Sequence, residues 1–129
     1  LAGKNILAKK KNRNSKFLLA AGEIMENYLN KIQEITNKII ENYKPDRIIL
    51  FGSYASGNIN ENSDIDLLIV KDSLLPRHKR AREVRKYLYG TMVPMDILVF
   101  TNQEIDDSKD LKFSFIYNAF KTGKVLYEK

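Results

Sequence analysis

The residue types best suited to chemistry fall in one stretch, FGSYASGNINENSDIDLLIV, from Phe51 to Val70. Gly52-Ser53 opens a tight turn after an apolar run. A ten-residue gap then leads to Asp64 and Asp66, one residue apart at the start of a second apolar run. Side chains alternate along a strand, so both carboxylates share one face while Ile65, Leu67 and Ile69 take the other. Carboxylates about 7 Å apart on one strand face repel each other unless a cation sits between them. Oxygen-only ligands favour a hard ion such as Mg2+, usually shared with the phosphates of a substrate. The stretch therefore points to metal-dependent phosphoryl or nucleotidyl transfer.

A third carboxylate lies further on. In Val93–Phe100, Asp96 shares a face with Pro94 and Leu98, and an aspartate in so apolar a strand is costly if buried and unpaired. If this strand lies beside the one after Asp64, Asp96 joins Asp64 and Asp66 around one metal cluster. Two-metal chemistry uses such a set to stabilise the attacking and leaving oxygens of an in-line displacement.

The elements that must carry these residues follow from periodicity. Tyr28, Ile32, Ile35, Ile39 and Tyr43 recur at helical spacing from Glu26 to Tyr43, and Pro45 stops that helix near Lys44. Arg47–Phe51 is a short buried strand, with a brief helical turn through Ala55 after Gly52-Ser53. Residues 57–63 form a loop and 64–71 a second strand. Pro76 starts a helix over Arg77–Tyr89 that Gly90 ends. Val93–Phe100 is a third strand, placed at an edge or entry by Pro94. Leu111–Lys121 is a last helix, with Leu111, Phe115, Ile116, Ala119 and Phe120 inward and Gly123 as its stop. A short strand over Val125–Tyr127 closes the order, which implies a sheet with helices packed on it.

Gly52-Ser53, Asp64-Ile65-Asp66 and the lone Asp96 together resemble the DNA polymerase β-type nucleotidyltransferase superfamily. The run SDIDLLIV and the ending FKTGKVLYEK resemble its minimal nucleotidyltransferases, among them antitoxins of HEPN/MNT toxin–antitoxin pairs. The resemblance covers roughly Glu26–Lys129. It implies an α/β (α+β) fold, a small mixed sheet with helices packed on it. It implies that Asp64 and Asp66 bind two Mg2+ ions and hold a nucleoside triphosphate, ATP foremost. Asp96 would ligate the catalytic metal and help deprotonate a hydroxyl acceptor, such as a tyrosine of a HEPN-type partner. Gly52 would admit the triphosphate and Ser53 would bond a phosphate oxygen.

One position departs from the pattern. Many relatives carry arginine where this chain has Ser56 in Gly52-Ser-Tyr-Ala-Ser-Gly57. The basic run Arg77, Lys79, Arg80, Arg82, Arg85 and Lys86 is a candidate substitute, or else a solvated face or a contact for RNA or an acidic partner. Ser56 also keeps open a degenerate nucleotidyltransferase-fold module that neutralises its partner by binding alone. A small-molecule enzyme resembling aminoglycoside nucleotidyltransferases is a further alternative, although those carry another domain for the acceptor. Tyr54, two residues past Gly52, is a candidate for stacking on a base.

Composition sets the outer limits. A length of 129 residues suits one domain. The net charge of +6 resides in residues 1–16, which hold six basic side chains and no acid; the remainder carries 16 of each sign. Nucleic acid is therefore not favoured as a partner. Residues 1–24 are expected to be a basic leader, flexible or foreign to the native chain, with Met25 as a native start, and 25–129 the nucleotidyltransferase domain. Zero cysteines exclude disulfides and thiolate metal sites and fit a cytoplasmic location. No apolar run is long enough for a transmembrane helix. A homo-oligomer stays open.

Overall fold

The computed structural model describes residues 16–57, 59 and 63–129. Among these residues, four strands form one mixed sheet in the order β3-β2-β1-β4: β1 (Arg47–Phe51), β2 (Ile65–Val70), β3 (Met95–Phe100) and β4 (Lys124–Glu128). β1 runs antiparallel to both β2 and β4, while β2 and β3 are parallel. Among the described residues, five α-helices complete the fold: α1 (Lys16–Tyr43), α2 (Ser53–Ser56), α3 (Arg77–Arg85), α4 (Asn102–Ser108) and α5 (Phe115–Thr122). It is the expected α+β class. Among the described residues, no helix is long and apolar enough to cross a membrane.

Strand alternation divides the core between the two faces. Ile48, Leu50, Leu67, Ile69, Ile97 and Val99 pack against Ile32, Ile35 and Ile39 of α1 and Val84 of α3. On the other face Ile49, Leu68, Val70 and Phe100 pack against Ile105 of α4 and Ile116 and Ala119 of α5. Each fully buried aliphatic side chain contributes about 1.5–3 kcal/mol. The polar exception in α1, Thr36, is satisfied because its hydroxyl donates to the Ile32 carbonyl at 2.6 Å.

Several boundaries differ from the sequence expectation. α1 is already helical at Lys16, ten residues before the predicted start, and residues 1–15 of the proposed leader lie outside the described residues. It ends at Tyr43 as expected, where Lys44 turns left-handed (φ 54°) ahead of Pro45. α4 was not anticipated, although Thr101-x-x-Glu104 is a full capping box: each side chain bonds the other residue's backbone N–H. The last helix starts at Phe115 rather than Leu111, because the Ser114 hydroxyl caps it by accepting from the Tyr117 N–H. Leu111 is consequently exposed and Phe115 about half exposed, against the inward placement read for both. Gly123 does end α5, for a steric reason: a Cβ there would lie 2.4 Å from the Ala119 carbonyl oxygen and 2.8 Å from that of Leu50.

The basic helix α3 is not one solvated face. Arg80 is buried, donating from Nε to the Leu75 carbonyl (2.8 Å) and from Nη1 to the Val99 carbonyl (3.2 Å) and Glu104 Oε1 (2.5 Å). Arg85 donates from Nη2 to the Met95 carbonyl at 3.0 Å. The carbonyls of Pro94 and Phe100 accept from β2 and its end, so those of Met95 and Val99 point to the free edge of β3. The two arginines thus cover that edge, which is otherwise a template for unwanted pairing.

Arg80→Ala is expected to cost about 3 kcal/mol, since it strands a partly buried carboxylate and strips two carbonyls. Urea denaturation measures it, and Arg80→Lys should recover only part because an ammonium cannot reproduce the planar fork. The same tie has a pH signature. Burial works to raise the Glu104 carboxyl, but the Thr101 N–H, then Arg80 and Arg77, outweigh it and hold it below 4.5. A carboxyl more acidic when folded adds stability above its unfolded value and loses it as pH falls through the folded one. Glu104→Gln should flatten that part of the acid unfolding curve.

Candidate active site

The site begins where β1 ends. Gly52 takes φ 72° and ψ −150°, a conformation essentially restricted to glycine. A Cβ at Gly52 would lie 2.1 Å from Asp66 Oδ2. Two independent constraints, backbone and space, therefore require glycine here. α2 follows at once, its turn closed by the Ala55 and Ser56 N–H groups on the Gly52 carbonyl at 3.1 and 3.0 Å. The N–H groups of Ser53 and Tyr54 open that turn and, as first residues of a helix, have no partner within it. Gly57 leaves it in the left-handed region, φ 85°.

Tyr54 anchors the turn from below. It is buried, and its ring meets Tyr28 of α1 edge-on at 5.5 Å between centroids. This corrects the sequence suggestion that Tyr54 stacks on a nucleobase: its ring is committed to the core. Burial, then Tyr28, then the Asp64 carboxylate raise its phenol above 10, which places Asp64 near the same turn.

The strands bring the carboxylates together. Phe51 is paired with Asp66 across β1 and β2, and Asp66 with Asp96 across β2 and β3. Asp64 immediately precedes β2. Asp66 is half-buried, whereas Asp64 and Asp96 are exposed, so Asp96 does not carry the cost expected of a buried strand aspartate. The Asp66 carboxyl is raised above 3.8, first by burial, then by the Asp96 and Asp64 charges and a hydrogen bond shared with Asp96. Adjacent carboxylates in that state need a shared proton or a cation.

Among the described residues, no three Asp, Glu or His side chains stand in a metal-holding arrangement. The donor set nevertheless fits a hard divalent cation: its oxygens are anionic, and Asp66 is strained by its like-charged neighbours. Asp66, Asp96 and Gly52 thus adjoin directly, Asp64 lies within electrostatic reach, and Ser53 opens the turn beside them. Sequence reasoning named Arg85 within the basic run but did not place its guanidinium on the outer edge of β3, one residue from Asp96. It also missed the Phe51–Phe115 pair, edge-on at 5.1 Å, which walls the carboxylate row on the α5 side.

A glycine turn packed against one carboxylate of a cross-strand row on a mixed sheet is the frame of a nucleotidyltransferase. The chain belongs to the Polymerase beta, Nucleotidyltransferase family, whose sequence profile matches residues 30–129. It is 34% identical over 98 residues to a Methanocaldococcus jannaschii protein named as a candidate protein adenylyltransferase, MJ0604, covering 74% of this chain and 94% of that one. A second such protein of that organism, MJ0141, is 40% identical over 73 residues, 57% of this chain and 70% of its own length. In fold the chain is similar to a candidate nucleotidyltransferase of Sulfolobus solfataricus, with TM-score 0.60 and 21% identity over 95% of this chain and 93% of that one. A crystal structure described as a toxin–antitoxin with AMP-PNP shares the fold at TM-score 0.52 and 24% identity, over 78% and 73% of the two chains.

Proposed function

We propose that the protein transfers AMP from ATP, with Mg2+, to a hydroxyl of a partner protein, a tyrosine of a HEPN-type toxin being the expected acceptor. The observation that carries the reading is the register that sets Asp66 beside Asp96 with Gly52 against Asp66. The relatives named as protein adenylyltransferases support adenylyl transfer and a protein acceptor. The toxin–antitoxin of similar fold is consistent with an antitoxin role.

In this reading the acceptor oxygen attacks the α-phosphorus, a P–O bond forms, and the bond to pyrophosphate breaks. The Ser53 and Tyr54 N–H groups receive the leaving phosphates, and the bare Gly52 leaves room for the Asp66 carboxylate beside them. The Asp96 carboxylate accepts the proton of the acceptor hydroxyl. Asp64, Asp66 and Asp96 would hold the Mg2+ ions, which supply charge neutralisation for the attacking and leaving oxygens.

The test incubates the protein with α-labelled ATP, Mg2+ and the product of the neighbouring gene. Label should appear on that product and vanish with Asp64→Asn. The rival reading, a module that neutralises by contact, draws on Ser56, whose hydroxyl turns back to the Ser53 carbonyl at 3.2 Å and supplies no cation. Neutralisation that survives Asp64→Asn with Asp66→Asn would establish that module instead.

A further inference from the structure

An in-line displacement puts the attacking and leaving oxygens on opposite sides of the phosphorus. The glycine turn lies at the β1 end of the row Phe51–Asp66–Asp96, so pyrophosphate leaves on that side. The acceptor must then approach from the β3 side, which is a free edge of the sheet. What stands there is the segment 89–94 that leads into β3, with the end of α3 beside it.

That segment is built to hold apolar side chains outward. Thr91 is 8% exposed, with its hydroxyl and N–H both donating to the Leu88 carbonyl, at 2.8 and 3.1 Å. On either side of this pin, Tyr89 is 94% and Met92 92% exposed. Met92 adopts φ 55°, a left-handed conformation disfavoured for any residue with a Cβ, two residues after Gly90 at φ 87°. A strained, exposed methionine on a pinned loop has no packing reason to be there, and such outliers concentrate at recognition sites. Arg85 lies on the Met95 carbonyl next to Asp96, and Arg82 is its neighbour one helical turn back.

We propose that Tyr89, Met92 and Arg85, with Arg82, form the acceptor-recognition edge, and that it selects an acidic polypeptide segment presenting the target hydroxyl. The inference rests on the adenylyl-transfer reading above. Met92 and Tyr89 hold the segment's apolar side chains, and the two guanidiniums its carboxylates. Arg85 contacts the acceptor segment and not the reacting atoms, since its guanidinium lies on the outer edge of β3.

The test measures transfer from α-labelled ATP to three defined probes: a tyrosine peptide flanked by glutamates, its lysine-flanked twin, and a short RNA with a free 3′ hydroxyl. Wild type should label the acidic peptide with kcat/KM about 10-fold above its twin, the effect of one favourable charged contact. Arg85→Gln should erase that preference, mainly through acceptor KM. Met92→Gly should lower labelling of the acidic peptide by about 10-fold with a melting temperature no lower than wild type, because glycine relieves the left-handed strain. Calorimetric ATP affinity should stay unchanged in both variants. Equal labelling of the two peptides, preference for the RNA, or full activity in Met92→Gly overturns the proposal while leaving adenylyl transfer standing. Failure of wild type to bind ATP–Mg2+ or label any probe overturns the adenylyl-transfer reading itself, and this proposal with it.

Discussion

Asp66→Asn is expected to lower AMP transfer by about 1,000-fold or more, the scale of losing a central charge-stabilising group, and to raise the melting temperature of the metal-free protein. The two effects have one cause. Burial and the Asp96 and Asp64 charges hold the Asp66 carboxyl above its ordinary 3.8. The folded state therefore disfavours the ionised form, and stability is lost as pH rises through the elevated value. Asparagine removes that loss and also the charge that draws a cation. Thermal melts should show wild type gaining stability on addition of Mg2+ and ATP, by mass action on the folded state, and the variant gaining little. Transfer that persists in Asp66→Asn, or a variant that melts lower without metal, would count against the site.

Gly52→Ala is expected to reduce both stability, by about 2–4 kcal/mol, and transfer, by at least about 100-fold through displacement of the reacting groups. The new methyl would lie 2.1 Å from Asp66 Oδ2, on a backbone at φ 72°. Either the carboxylate leaves the row or the turn opens; each separates the N–H groups of Ser53 and Tyr54, proposed above to receive phosphate, from the carboxylates. A double-mutant cycle separates the two costs. With Asp66→Ala as background the clashing atom is gone, so Gly52→Ala should then cost only the backbone strain, measured by urea denaturation. Additive costs would show that the contact between Gly52 and Asp66 is not what demands glycine.

The legible parts of the fold were those governed by one local rule. Arg47–Phe51 appears with the predicted bounds because the four consecutive apolar residues Ile48–Phe51, with Pro45 shortly before them and Gly52 directly after, leave little choice. The pairing of Asp66 with Asp96 was readable from alternation plus one assumption, that the two strands are neighbours. Arg80 was not readable. In the chain it is one base among six, and only the fold shows that it faces an edge carbonyl and Glu104 while Lys79 faces solvent. Met92 was equally silent, since a positive φ at a non-glycine residue leaves no mark in the sequence. α4 differs from both, because its capping box was there to be seen between Thr101 and Glu104.

The two arginines on the outer edge of β3 also act as a gauge. Five residues apart on α3, they seize carbonyls four residues apart on the strand, Val99 and Met95. A slip of one residue between β2 and β3 would turn every side chain of β3 over and carry Asp96 to the opposite face. It would also present the arginines with carbonyls aimed the other way. The helix thereby checks the alignment of a strand it only borders, and a chain that folds with its stability intact has its carboxylates on the same side.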